Sequence, residues 1–377
     1  MLLPAVPWPA DAGAKIRNAG LMQALREAHD VEVLAFGASS EQRPGVEVIP
    51  SPGRKSIGRR LLDLGRSDLP DMAQRLWSSV FAETLRCRLE RTRYDAVQAE
   101  GIEMARYLGM VAPERRVYDA HNAEFLLQQR LASGTPGAAG VYSRLQWRRL
   151  ERFERRVVHD SHLTLAVSAH DANQLIALAG GAASVQVVPN AIDVARYPFK
   201  LPGATTGGNL LFLGKLDFRP NTEALAWFIR EVLPRADANR LFAVGDSPPR
   251  WLVRSGQFDE RIAVTGYVTD ERPYLARCAA LVLPVRTGGG SRLKALVAMA
   301  VGLPVISTRL GMEGIEAEAG THFLQAETAS EWIDSVRRLR SDAELRRRLA
   351  CEARALVEQR YDWSAMREHA LRAYAWL

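Results

Sequence analysis

The chain has 377 residues, 47% of them apolar and 25% charged. That is more chain than one ordinary core absorbs, so two domains of usual size are expected and extensive disorder is excluded. The net charge of +7 favours contact with phosphate, anionic lipid or acidic glycans. Acids interleave with the basic residues and no aromatic-basic motif occurs, so no nucleic-acid partner is expected.

The three cysteines, Cys87, Cys278 and Cys351, are far apart and lack paired metal-ligand spacing, so neither a disulfide framework nor a metal site is expected and a reducing cytosol fits best. The N-terminal run MLLPAVPWPADAGAK has no basic leader and is broken by prolines, which argues against a signal peptide. No apolar stretch is long enough to span a bilayer.

In chain order, LLPAV, DVEVLAF, YDAVQAE, RRVYDAH and LTLAVS read as strands, with a helix over GAKIRNAGLMQALREAH and a mixed region after DVEVLAF. The rhythm restarts after YPFKLPGATTGGN, a turn-rich stretch read as a linker. NLLFLG, RLFAVGD, RIAVTGY, ALVLPV and LPVISTR then read as strands, with helices over NTEALAWFIREVLPRA and SRLKALVAMAVG. Strands alternating with helices demand crossovers, and crossovers make parallel sheets covered on both faces. From Ala329 to Leu377 the pattern is helical, broken near YDW.

Ligands of open α/β sheets bind where strand ends lead into helix N-termini, which present free N–H groups and a positive dipole. Three such loops stand out. In PWPADAGAKIR, Gly13 precedes a helix and would let backbone approach a phosphate, with Lys15 and Arg17 adding charge; a plain turn is the competing reading. In GKLDFRPNTEA, Lys215 and Arg219 fall in the loop before a helix opening near Asn221, where two cations can neutralise a diphosphate; a solvated loop is the alternative. In TGGGSRLK, Gly288, Gly289 and Gly290 precede a helix with Arg292 and Lys294 beside them, a combination suited to an anion nest. Between the first two lies VYDAHNAEF, which puts His121 at a strand's carboxyl end with Asn122 and Glu124 close behind.

The order of these pieces resembles family 4 of the retaining glycosyltransferases. The resemblance covers nearly the whole chain and is carried by PWPADAGAKIR, DAHNAE, VPNAIDVARYPF, FLGKLDFRPNTEALAWF, VTGYV and, above all, GGGSRLKALVAMAVGLPVIST followed by LGMEGI. It implies an α/β, GT-B fold: two Rossmann-like domains facing across a cleft, residues 1–197 for the acceptor and 198–362 for the nucleotide-sugar donor, with a helix over 363–377 crossing back to the first. It implies His121 near the donor sugar, Lys215 and Arg219 on the diphosphate, and Gly13, Lys15 and Gly214 near the phosphates. The loop of Gly288, Gly289, Gly290, Ser291, Arg292 and Leu293 would supply amides, and Tyr267 and Val268 would line the base pocket. Such enzymes need neither metal nor cofactor beyond the sugar nucleotide, and UDP or GDP is the nucleotide expected. Transfer with retention would let the leaving phosphate take the acceptor proton.

One departure stands out. Family members commonly carry two glutamates, seven residues between them, the second gripping the ribose; here those positions are Gly289 and Val297, within LVAMA. The first loss is familiar in the branch with a Gly-Gly-Gly-Ser/Thr-Arg-x-Lys loop. Valine accepts no hydrogen bond, so about 1.5–3 kcal/mol per charge-assisted bond is forfeited unless Glu313 or Arg292 substitutes. The expected function is therefore transfer of a hexose to a glycan or lipid-linked acceptor in cell-surface or exopolysaccharide synthesis, and the alternative is a non-catalytic GT-B-shaped subunit supporting a protein partner. On the acceptor side, RKSIGRRLLDLGRSDL carries five cations and one acid from Arg54 to Arg66, a candidate contact with an anionic membrane at the cytoplasmic face of the inner membrane. In YSRLQWRRLERFERR the acids are spaced to pair with arginines on a solvated helix.

Overall fold

The computed structural model describes residues 1–41, 43–53, 56, 58, 65–203, 207–288 and 292–377. They form two compact units, Met1–Asn190 with Met366–Leu377, and Ala191–Ala365. The first break falls seven residues before the expected 197/198 boundary, so the turn-rich stretch lies wholly in the second unit.

Among the described residues the first unit holds β1 (Leu2–Leu3), β2 (Val33–Phe36), β3 (Val46–Ile49), β4 (Val97–Glu100), β5 (Arg116–Ala120), β6 (Leu163–Ala166) and β7 (Val185–Val187), in the order β3-β2-β1-β4-β5-β6-β7. Every pairing is parallel. The second unit holds β8 (Leu210–Leu213), β9 (Leu241–Val244), β10 (Ile262–Gly266), β11 (Ala280–Leu283), β12 (Val305–Ser307) and β13 (Leu324–Gln325), also all parallel, in the order β10-β9-β8-β11-β12-β13. Each order reverses beside its first strand, at β1/β4 and at β8/β11, and such reversals open a crevice at the strands' carboxyl ends.

Central strands such as β2 (VLAF), β8 (LLFL) and β11 (ALVL) are buried throughout, as unbroken apolar runs covered on both faces must be. Strand β1 is shorter than LLPAV suggested because Pro4 has no N–H to give a ladder. Strands β3, β7 and β13 were not legible: β3 carries Glu47 within it, and β7 and β13 are short edge strands with exposed positions. The first core gathers Phe36, Phe81, Tyr107 and Tyr118, and the second Phe212, Phe228 and Trp332. The tail is three helices, Ala329–Ser341, Ala343–Arg360 and Trp363–Ala373. It is interrupted at Asp342 as well as near YDW, because the Asp342 carboxylate accepts from the Leu345 N–H and caps a new helix. The last helix starts in the second unit and from Met366 belongs to the first. Among the described residues no helix is long and apolar enough to cross a membrane.

The second sheet closes tightly at its carboxyl edge. The Gly214 N–H donates to the Val244 carbonyl (3.0 Å) and the Gly245 N–H to that of Gly266 (3.1 Å). A Cβ at Gly245, where φ is +152°, would stand 1.8 Å from the Gly214 oxygen. Gly245→Ala is expected to cost at least about 2 kcal/mol through strain and displacement of this edge, measured as a fall in thermal melting temperature.

Candidate active site

The reversal point of the second sheet gathers the residues expected to meet phosphate. Strand β8 ends at Gly214–Lys215, β11 leads to Thr287–Gly288, and the helix Arg219–Glu231 starts between them in sequence. Arg219 is the first residue of that helix, not a loop residue, because Pro220 fits its first turn. Two polar bridges join the expected loops. Arg219 Nε donates to Glu223 Oε1 (2.7 Å), whose Oε2 accepts from Thr287 Oγ1 (2.8 Å). Asn221 Nδ2 donates to the Lys215 carbonyl (2.8 Å) while its Oδ1 accepts from Lys294 Nζ (3.1 Å).

Lys215 and Arg219 are exposed; Lys215 faces the exposed Asp217 (3.6 Å) and Arg219 faces the half-buried Glu223. A solvated pair such as Lys215–Asp217 holds by about 0–1 kcal/mol, so that lysine can exchange its neighbour for a bound anion. Gly288 opens the glycine loop at φ +86°; Gly289, Gly290 and Ser291 lie outside the described residues. Arg292 is buried, and its Nη2 donates to the Leu310 carbonyl (2.7 Å), anchoring the LGMEGI turn. Leu293 begins the following helix and is buried; Val297 is 7% exposed in that helix's apolar interior. Tyr267, 56% exposed, and the half-buried Val268 follow the end of β10 on the same sheet edge.

In the first unit Gly13 opens the helix Gly13–Arg26, whose first turn holds no acid. Half-buried Lys15 faces Asp11 at 3.1 Å. Arg17 does not add charge to an open site. It is 2% exposed, it donates from Nε and Nη2 to Asp119 Oδ2 and Oδ1 (2.8 and 2.6 Å), and its Nη1 donates to the Val188 carbonyl (2.8 Å). Sequence alone did not show this partner because Asp119 lies 102 residues away.

His121 follows β5 beside two fully buried carboxylates, with Nε2 at 3.2 Å from Glu100 Oε2 and 3.6 Å from Asp119 Oδ2. Burial would lower its pKa, but the hydrogen bonds and charges of Asp119 and Glu100 outweigh that and hold it at about 10. The ring is therefore an imidazolium at neutral pH, a donor and not a base. Burial likewise pushes Asp119 upward, and the Arg17 charge overrides it and holds the carboxyl well below the usual range. Glu100 goes the other way, raised to about 7 by burial and then by the Asp119 charge. Asn18, its amide oriented to suit its neighbours, donates to Glu100 Oε2 (2.9 Å). The Tyr374 hydroxyl donates to Gln98 and the Gln98 amide to Glu100 Oε1, which ties the C-terminal segment to the cluster.

Glu100, Asp119 and His121 bring ligand-type atoms within 4.8 Å of one another. Both Asp119 oxygens are taken by Arg17, however, so a metal ion there would meet a buried guanidinium at once. Two further acids lie next door, Glu154 buried and Glu124 half-buried. Burial and the Glu124 charge lift Glu154 to about 8, although it accepts from the N–H groups of Glu124 and Phe125, and burial and the Glu103 charge lift Glu124 to about 7. Helical spacing predicts that Glu151 and Glu154 both pair with arginines in water; Glu151 faces Arg155 at 3.6 Å, but Glu154 is buried, where it accepts from Tyr118 and the Glu124 and Phe125 N–H groups. Of the basic stretch 54–66, only Ser56, Gly58, Gly65 and Arg66 are described.

A family model described as Glycosyltransferase Family 4 matches residues 12–196, and one described as Glycosyl transferases group 1 matches residues 207–342. The chain belongs to glycosyltransferase family 4. Glycogen synthase of Mycobacterium tuberculosis is 26% identical over 60% of the chain, a match spanning only 57% of that relative. D-inositol 3-phosphate glycosyltransferase of Pseudarthrobacter chlorophenolicus is 25% identical over 98% of the chain and 91% of its own length. Sucrose-phosphate synthase from Thermosynechococcus elongatus superposes with a TM-score of 0.74 at 17% identity, covering 99% of this chain and 97% of that one. HepE of Anabaena, solved in complex with UDP-glucose, superposes at 0.69 with 15% identity, covering 100% and 99%. These likenesses show the GT-B fold of two Rossmann-like domains.

Two outcomes are expected of this family 4 glycosyltransferase. Arg17→Met leaves Asp119 buried without its cation and is expected to destabilise the first unit by about 3–5 kcal/mol, read by urea unfolding. The second concerns pH. His121 contributes its full stability below about 6.5 and loses it as pH rises through about 10, and Glu100, Glu124 and Glu154 hold protons in the fold that the unfolded chain sheds above about 4.5. These four groups share a sign and outweigh the opposing Met1 amine, which burial lowers to about 6, so the melting temperature of the first unit falls from pH 6 to 9. Glu154→Gln, which cannot ionise, flattens that fall.

Proposed function

We propose that the chain transfers a hexose from a nucleotide-diphosphate sugar, UDP- or GDP-linked, to a glycan or lipid-linked acceptor, with retention and without a metal, in cell-surface or exopolysaccharide assembly. The observation that carries this reading is the meeting of Gly214, Lys215, Arg219 and Gly288 at the strand reversal of the second sheet. A departing diphosphate needs cations and N–H donors placed in advance, and these supply them. That HepE was solved with UDP-glucose supports the choice of donor.

The charge state of His121 supports the proton route. An imidazolium held by two carboxylates takes no proton from an acceptor hydroxyl, which leaves that task to the departing phosphate. Its role is then to donate a hydrogen bond to the sugar. Nε2 is the nitrogen that faces Glu100 and Asp119, which leaves Nδ1 for the sugar. The cytoplasmic face of the inner membrane is the place proposed for this reaction, with the 54–66 stretch meeting anionic lipid.

Val297 favours a second reading, a GT-B subunit that supports another transferase without turnover. By the family resemblance it takes the position of the ribose-binding glutamate, and its side chain is packed in an apolar helix face.

Saturation-transfer NMR with UDP-, GDP- and dTDP-sugars is expected to show binding by at least one; silence from all of them sinks the donor reading. His121→Ala is expected to lower kcat about 100-fold with little change in donor affinity, whereas a non-catalytic subunit shows no turnover to lose. Val297→Glu restores a ribose acceptor and is expected to tighten donor binding roughly tenfold, read by calorimetry.

A further inference from the structure

Lys294 stands one residue into the helix Leu293–Val301, beside the loop expected to hold phosphate. Its Nζ lies 3.1 Å from Asn221 Oδ1 and 4.8 Å from the centre of the Phe212 ring. A Cβ on Gly214 would approach it to 3.3 Å. The same Asn221 holds the Lys215 carbonyl through its amide, so the amine is fixed against the turn that carries Lys215.

Among the described residues, the groups facing it come from three elements. From β8 come Phe212 and Gly214, from the helix Arg219–Glu231 comes Asn221, and on its own helix start is Arg292. Among the described residues no carboxylate pairs with it. One neutral oxygen and one ring face are poor compensation for an ammonium taken from water. Burial, and then the Arg292 charge, bring its pKa down to about 7. Near pH 8 the free protein therefore holds mostly the neutral amine.

We propose that Lys294 is the positioning residue that ties the glycine-loop helix to the Gly214–Lys215 turn, and that a donor diphosphate bound at that turn draws a proton from solvent onto its amine. Two phosphate charges brought beside a desolvated amine favour its protonated form. The ammonium adds a third cation to Lys215 and Arg219, present when the diphosphate is present and partly absent otherwise. The free site is thereby spared a half-buried charge that no carboxylate among the described residues pairs with. The inference rests on the donor-site reading.

Isothermal titration calorimetry in buffers of different ionisation enthalpy counts the protons taken up. UDP-glucose, GDP-mannose, ADP-glucose and dTDP-glucose are the probes, because their diphosphates are diesters with no titration of their own between pH 6 and 9. For whichever binds, uptake approaching one proton is expected at pH 8 and little at pH 6, with affinity falling roughly tenfold from pH 7 to 8.5. Lys294→Met, checked for folding by circular dichroism, is expected to bind more weakly, with no uptake and a flat pH dependence over that range. Binding by the wild-type chain with no uptake at pH 8 overturns the inference and leaves the donor site standing. Uptake that persists in Lys294→Met assigns the proton elsewhere and also overturns it. No binding by any probe removes the donor-site reading and the inference together.

Discussion

The first unit depends on a guanidinium and a carboxylate that are both out of water. Arg17 reaches from the helix Gly13–Arg26 to Asp119 on β5 and to the carbonyl of Val188 beyond β7, so one side chain joins the start, middle and end of the unit. Burying such a pair is tolerable only when nearly every donor is satisfied. The pair also sets the charge of its neighbours. With Asp119 ionised by Arg17, His121 is driven to the imidazolium, and Glu100, beside a second carboxylate, is driven toward protonation.

The second unit uses charge in the opposite manner. Lys215 and Arg219 are exposed, and Lys215 faces only a solvated carboxylate, Asp217, among the described residues. A lysine held this loosely can turn to a ligand at small cost. What is rigid there is the backbone: the paired strand ends at Gly214, Gly245 and Gly266, and the polar bridges from Thr287 and Lys294 to the helix Arg219–Glu231. One parallel architecture thus occurs twice, once with fixed buried charge around a histidine and once with exposed cations at its strand ends.

Arg17 and Arg292 show how similar sequence signals lead to different fates. Both are cations beside a glycine at a helix start, and sequence reading gave both to phosphate. Arg17 is spent on Asp119, whereas Arg292, also buried, donates to the Leu310 carbonyl. That Arg17 is withdrawn from an open site depends on which acceptors the fold brings near, and local sequence does not contain that. Glu100 was missed for the same reason: it ends a strand within YDAVQAE, and nothing nearby marks it as the partner of His121, 21 residues on.

The sequence by itself determined the alternation of strands and helices, the two-part organisation, the glycine loops at strand ends, and the absence of a glutamate at position 297. These are properties of short windows: apolar runs, turn residues and motif spacing. Tertiary structure decided the strand orders, and with them the reversal points that bring Gly214 beside the loop after β11. It also decided the charge of His121, the burial of Arg17 and Glu154, and the enclosure of Lys294. Those depend on distance and dielectric between groups remote in the chain, and only the packed fold sets either one.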